Sequence, residues 1–323
     1  MSFRIGVLGA GTHGERYVRH ALQDVPGMTV TALCRRNREA GLELAARYGV
    51  RYHAEPESLI GDPEVDGVVV CTPPSSHFVL ARAVLASDKP LLLEKPMTGL
   101  LTEAERLAEL DTEAPHPLML AQALRWNPVI LKVRQLWPSI GRVHHIRLAQ
   151  RLAPTTLEWQ RNPEETVGGS VLLTGVHIFD LTRFLSGHEF VTVDSRQEQV
   201  LNPVVEDFFL ARASLSDGCH VSLEVSKYTR SRACWLEAVG EEGQIMADYL
   251  DGGIILRHGR DEEKFDISAT APTLPLVLKD WLDAVRDGSP PPVTVQDGLA
   301  TMRIVEACYR SAAAGCQIEL ADL

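Results

Sequence analysis

The chain has 323 residues, 45% of them hydrophobic, and a formal net charge of −11. That length buries a sizeable core and makes two domains the expectation. The acidic balance, with no basic run to override it, argues against a nucleic-acid surface, and no apolar run approaches membrane-spanning length.

The stretch Met1 to Gly6 enters a strand at once, with no charged-then-apolar leader, so no secretory signal is expected. Six cysteines (34, 71, 219, 234, 308 and 316) are scattered without a CxxC pair. This usage points to a reducing, cytoplasmic compartment and to no metal site.

Arg4 to Leu8 reads as a buried strand running into Gly9-Ala10-Gly11-Thr12-His13-Gly14, with an amphipathic helix behind it. A GxGxxG loop between a strand and a helix is the pattern that cradles a pyrophosphate. The first glycine permits the turn, the second admits the phosphates, and the third lets the helix pack closely. Met28 to Cys34 is a second strand, and Arg35-Arg36 comes after it where a NAD site places an acid. A guanidinium there can grip a ribose 2′-phosphate; the other reading is two solvated arginines opening a helix over Glu39–Tyr48.

A third strand, Asp66 to Thr72, is closed by Pro73-Pro74, and Ser75-Ser76-His77 begins a helix through Ala86. Leu91-Leu92-Leu93 is a run without polar alternation, as in a strand covered on both faces of a parallel sheet, and it ends in Glu94-Lys95-Pro96. A lysine fixed at the carboxyl end of a parallel strand stands where open α/β sheets bind ligands; the other reading is an exposed loop charge pair. Thr102-x-x-Glu105 is expected to cap the next helix, and Leu118 to Gln122 is the last strand of a doubly wound parallel sheet.

Beyond residue 122 the texture changes. After a helix at Val129–Leu136, strand-like runs succeed one another without helices between them: Gly141–Leu152, Val191–Val193, Asp207–Ala213, Val221–Val225, Cys234–Val239, Ile245–Asp248 and Ile254–Arg257. Two helices close the chain, Pro275–Asp287 and Val295–Ala314. The second half is therefore α+β, around a broad, mostly antiparallel sheet. The expected division is residues 1–122 and 123–323. One helical element interrupts the strands, Gly168-Gly169 through Leu173, His177 and Asp180. His177 and Asp180, three apart, share a face, with Leu173 one turn earlier. A lone histidine on such a helix is a catalyst or a satisfied core residue.

Taken together, Gly9 to Gly14, Cys71-Thr72-Pro73-Pro74 with His77, Glu94-Lys95-Pro96, Arg125-Trp126-Asn127-Pro128 and Gly168-Gly169…His177-x-x-Asp180 resemble the glucose–fructose oxidoreductase / inositol dehydrogenase (Gfo/Idh/MocA) family over nearly the whole length. The resemblance implies a Rossmann domain followed by a sheet domain for substrate binding and oligomerisation, as a homodimer or homotetramer. It implies NAD(P)-dependent hydride exchange with a hydroxyl or carbonyl group of a sugar-like small molecule, with NADP preferred on the Arg35 argument.

Lys95 and His177 would be the proton-handling pair. Gly9, Ala10, Gly11, Thr12, His13, Gly14, Arg35, Arg36, Thr72, Pro73, Pro74, His77, Glu94 and Lys95 would hold the cofactor. Arg125, Trp126, Trp159, Leu173, His177 and Asp180 would face the substrate. Many members carry an aspartate four positions before the histidine; this chain has Leu173. The alternatives are a cofactor-binding sensor without turnover and a redox-neutral glycosidase.

Overall fold

The computed structural model describes residues 2–268 and 271–323; Met1, with which the sequence begins its first strand, lies outside them. Two compact units are present, Met1–Gln122 with Pro272–Leu299, and Ala123–Ala271 with Ala300–Leu323.

The first unit alternates strand and helix as β1 (Phe3–Leu8), α1 (Thr12–Gln23), β2 (Met28–Cys34), α2 (Arg38–Tyr48), β3 (Arg51–His53), α3 (Pro56–Ile60), β4 (Gly67–Val70), α4 (His77–Leu85), β5 (Leu91–Glu94), α5 (Leu101–Glu113) and β6 (Met119–Ala121). The strands pair in the order β3-β2-β1-β4-β5-β6, all parallel. Right-handed crossovers cover both faces with helices in such a sheet, which is why β4 and β5 are buried end to end. The start of α5 differs from expectation. Thr102 and Glu105 lie inside the helix, and the Glu103 carboxylate reaches back to the Leu100 N–H at 3.3 Å instead.

The second unit contains α6 (Pro128–Leu136), β7 (Val143–Arg151), α7 (Pro163–Thr166) and α8 (Val176–Ser186). Then come β8 (Phe190–Glu198), β9 (Phe208–Leu215), β10 (His220–Ser226), β11 (Ala233–Gly240), β12 (Gln244–Asp248), β13 (Gly253–His258) and β14 (Asp261–Asp266). After α9 (Leu274–Asp287) and α10 (Val295–Ala314), β15 (Ile318–Glu319) adds an edge. The nine strands run β14-β13-β12-β11-β7-β10-β9-β8-β15. Among the described residues only the β7–β10 pair of this sheet is parallel, so the sheet is mixed but mostly antiparallel. Alternating burial, as in β9 and β11, turns one face of each strand inward.

Both closing helices were expected in the second half, yet α9 and the first residues of α10 pack with the first unit. Trp281 is fully buried edge-on against Phe3, ring centroids 5.5 Å apart. The glycine at 67 makes room, because a Cβ there would sit 2.5 Å from the Phe3 ring. Arg286 also donates to the Gly27 carbonyl at 2.9 Å. A buried indole of this size outweighs sequence proximity in deciding where the helix docks.

Candidate active site

In the first unit the expected cofactor residues converge at the carboxyl ends of β1, β2, β4 and β5. The Gly9 and Ala10 N–H groups both donate to the Cys34 carbonyl at 3.0 Å, tying the glycine loop to the end of β2, directly before Arg35. Gly9 adopts φ +83°, and a Cβ on it would lie 2.7 Å from the Cys71 backbone, so only glycine fits. A Cβ on Gly14 would lie 2.3 Å from the Gly9 carbonyl, which is the close helix–strand packing expected of the third glycine. At Gly11 a Cβ meets nothing within 4 Å. The loop thus leaves its second glycine open beside the positive end of α1, and these residues fit an anionic dinucleotide.

Behind the loop stands a buried carboxylate. His13 Nε2 lies 2.6 Å from Glu94 Oε1, Tyr17 Oη–H donates to the same oxygen at 2.7 Å, and the Lys95 N–H donates to Oε2 at 3.0 Å. Burial alone would raise the Glu94 pKa, but His13, Lys95 and Tyr17 outweigh it and bring it down to about 2. Glu94 is therefore a fixed anion joining the glycine loop to the end of β5. Lys95 comes directly after β5, whose three leucines are 0% exposed. Burial lowers its pKa, with Glu94 opposing. A lysine so placed releases its proton more readily than one in water, as a general base requires.

His77 is buried at the start of α4, with Nδ1 2.7 Å from the Pro96 carbonyl and Nε2 2.8 Å from the Thr72 carbonyl. It clips the loop after β4 to the turn after Lys95. Burial draws its pKa down while the two carbonyls oppose. Thr72 accepts from Ser76 at 2.7 Å, and Pro74 is buried beside it. Arg35 is half-buried and Arg36 exposed at the rim.

In the second unit the substrate candidates gather about α8. A π-helical turn, Val171–Gly175, feeds directly into it, placing Leu173 and His177 on successive turns. Leu173 is buried and His177 half-buried. Arg125 and Asp180, both expected to face substrate, engage each other: Nε donates to Oδ2 at 2.8 Å and Nη2 to Oδ1 at 2.6 Å. Arg125 also lies over the Phe184 ring, 5.1 Å from its centroid. Trp126 is buried on the same 3-10 turn as Arg125 (Ala123–Trp126), whereas Trp159 lies on a separate turn, Glu158–Arg161.

Three participants escaped the sequence reading. Tyr17 was legible in principle, since it lies four residues after His13 and so on the same helix face. Glu206 and Tyr309 meet at the start of the π turn from far along the chain, and no local pattern announces them.

A parallel βαβ unit with a glycine loop, a buried Glu94 followed by a half-buried Lys95 at its carboxyl edge, and a mixed-sheet unit define a nicotinamide-dependent oxidoreductase. The NAD-binding Rossmann model of the Gfo/Idh/MocA oxidoreductase family matches residues 3–122, and the model of the family's C-terminal alpha/beta domain matches residues 138–320. The chain belongs to this family. It is 29% identical to inositol 2-dehydrogenase 1 of Saccharopolyspora erythraea, covering 100% of this chain and 98% of that one. It superposes on an oxidoreductase domain protein from Kribbella flavida with TM-score 0.91 and 25% identity, covering 99% and 100% of the two chains. It is also similar to GenD2 from gentamicin A biosynthesis, solved in complex with NAD (TM-score 0.89, 26% identity, 98% and 96% covered).

Proposed function

We propose that this protein transfers hydride between NADP(H), in preference to NAD(H), and a CH–OH or carbonyl group of a sugar-like or cyclitol-like small molecule. The observation that carries the reading is Lys95 at the end of a fully buried parallel strand, beside a Glu94 anion bonded to His13 of the glycine loop. When bound, the nicotinamide supplies the hydride acceptor or donor. The chain itself handles the proton: in the oxidative direction Lys95 takes it from the substrate hydroxyl, and His177 serves as its partner. Glu94 holds the Lys95 backbone and the loop in one register, and the open backbone at Gly11 receives the phosphates.

The NADP preference is supported by Arg35 directly after β2, where its guanidinium can reach a 2′-phosphate. Leu173 supports a substrate whose face toward that helix is apolar or lacks a hydroxyl, because leucine offers no hydrogen bond. The family's curated relatives include an enzyme named for inositol, which makes a ring polyol the reference compound.

We further infer a homodimer or homotetramer formed through the second unit's sheet, and a cytoplasmic location. The six free thiols are in keeping with that location, and among the described residues no helix is long and apolar enough to cross a membrane.

The test is fluorescence titration with all four nicotinamide dinucleotides, then a screen of polyols, sugars and deoxy-sugars followed by nicotinamide absorbance. Turnover of a hydroxyl compound supports the reading. Tight cofactor binding with no turnover of any compound shifts it to a sensor. Sedimentation in the same buffer reads the oligomer.

A further inference from the structure

We propose that Glu206 is a positioning residue for His177, gripping the start of the helical element that carries the histidine; this rests on the reading of His177 as the partner of Lys95. Glu206 Oε1 accepts from the Gly169 and Val171 N–H groups, both at 3.1 Å, and from the Tyr309 hydroxyl at 2.9 Å. Its backbone carbonyl accepts from the Ser170 N–H at 2.8 Å. Three successive N–H groups of the helix start are thus held by one residue, 35 to 37 positions further along the chain at the ends of that run. An N-terminal cap made by a neighbouring side chain would travel with the helix. A grip from a distant strand connection instead fixes the helix to the sheet.

The glycines at the start fit this grip closely. A Cβ on Gly169 would lie 2.0 Å from the Glu206 carbonyl oxygen, and one on Gly168 would lie 2.5 Å from the Tyr309 hydroxyl. At Gly169 a side chain cannot be accepted without moving the helix start away from Glu206.

The π turn behind the grip gives it its consequence. Val171–Gly175 is wider than an α turn, a geometry frequent at functional sites, and its direction depends on how its two ends are held. Glu206 holds the leading end. Five residues past the trailing end, and three after His177, the Arg125–Asp180 pair anchors α8. His177 lies between the two anchors, so the backbone that carries it is held on both sides. Burial raises the Glu206 pKa, while the Tyr309 hydroxyl and the helix N–H groups oppose.

A cavity of about 330 Å³ lined by Gln197, Glu198 and Glu206 adjoins the grip.

The experiment is histidine-ring NMR on the full-length protein, with the His177 signal assigned by its loss in His177→Asn. In Glu206→Ala and in Gly169→Ala the His177 signal is expected to broaden and its titration midpoint to move. Glu206→Gln keeps an accepting oxygen and is expected to restore the wild-type position. NADH affinity, read by fluorescence, is expected to be unchanged in all three, since the cofactor loop belongs to the other unit. An unchanged His177 signal in folded Glu206→Ala overturns the proposal, as does a Glu206→Gln signal displaced as far as that of Glu206→Ala. Where Glu206→Ala proves unfolded by circular dichroism, Glu206→Asp, one methylene shorter with its charge kept, carries the test: a displaced signal supports the proposal and an unchanged one overturns it. Turnover by His177→Asn tests the underlying reading separately, because the NMR arm reports position whether or not the histidine is catalytic.

Discussion

Arg125 and Asp180 form a two-armed ion pair, 9% and 1% exposed, that ties the turn before α6 to the middle of α8. The guanidinium fork matches the carboxylate in bidentate fashion, which fixes orientation as well as distance. Removing one partner of a buried pair leaves a charge in a low-dielectric site and costs about 3–5 kcal/mol. Asp180→Asn is therefore expected to lower stability by about that much in urea unfolding. The double variant Arg125→Met/Asp180→Leu is expected to recover most of the loss. Equal stability of wild type and Asp180→Asn would show that the pair does not anchor the helix.

On the proposed reading, Arg35 is the residue that selects the cofactor. A charge-assisted bond to a 2′-phosphate is worth roughly 1.5–3 kcal/mol, or about a ten- to hundred-fold preference for NADP(H). Arg35→Asp is expected to reverse or abolish that preference in calorimetric titration. Tighter binding of NAD than of NADP by the unmodified protein would refute the assignment.

Glu94 makes the cofactor unit acid-sensitive. Its folded-state pKa of about 2 lies below the ordinary 4.5, so its stabilising contribution is complete above about 4.5 and is lost as pH falls toward 2. Glu94→Gln should flatten the stability curve of this unit across that window and weaken cofactor binding, because the anion no longer holds His13. A wild-type and variant pair whose unfolding midpoints fall in parallel from about pH 5 to about pH 2 would exclude this role.

On the proposed reading, Leu173 faces the substrate. A hydroxyl placed against leucine goes unpaired, at a cost of about 1–3 kcal/mol. Fully hydroxylated rings such as myo-inositol and glucose are expected to be turned over poorly compared with deoxy-sugars, dihydrodiols or simple alcohols. Leu173→Asp should improve the hydroxylated rings relative to the others. Efficient turnover of myo-inositol by the natural protein would end this account of specificity.

The central strands of the parallel sheet are legible in the sequence as apolar runs because both faces are covered, and the glycine loop because strand and helix flank it. The polar edges are not legible. Arg51-Tyr52-His53 forms β3 and Asp261–Asp266 forms β14, and both are polar, as an edge strand that must resist pairing tends to be. The return of α9 to the first unit depends on Trp281 meeting Phe3, a contact across most of the chain that no local period encodes. The site divides in the same way. Glu94, Lys95 and His77 sit at strand and helix ends that the pattern exposes, whereas the pairing of Arg125 with Asp180 and of Glu206 with the helix start arises only on folding.

The central claim is that Lys95 moves the substrate proton. It is tested most directly by following nicotinamide absorbance for wild type and Lys95→Met with the best compound from the screen, alongside cofactor titrations. Burial lowers the Lys95 pKa below its ordinary 10.5, so oxidation by the wild type is expected to rise with pH along a limb lying below that value, as the ammonium gives up its proton. Lys95→Met is expected to bind the cofactor within a few-fold of wild type, to lose that limb, and to turn over roughly 10² or more slower. Turnover retained by Lys95→Met would contradict the account.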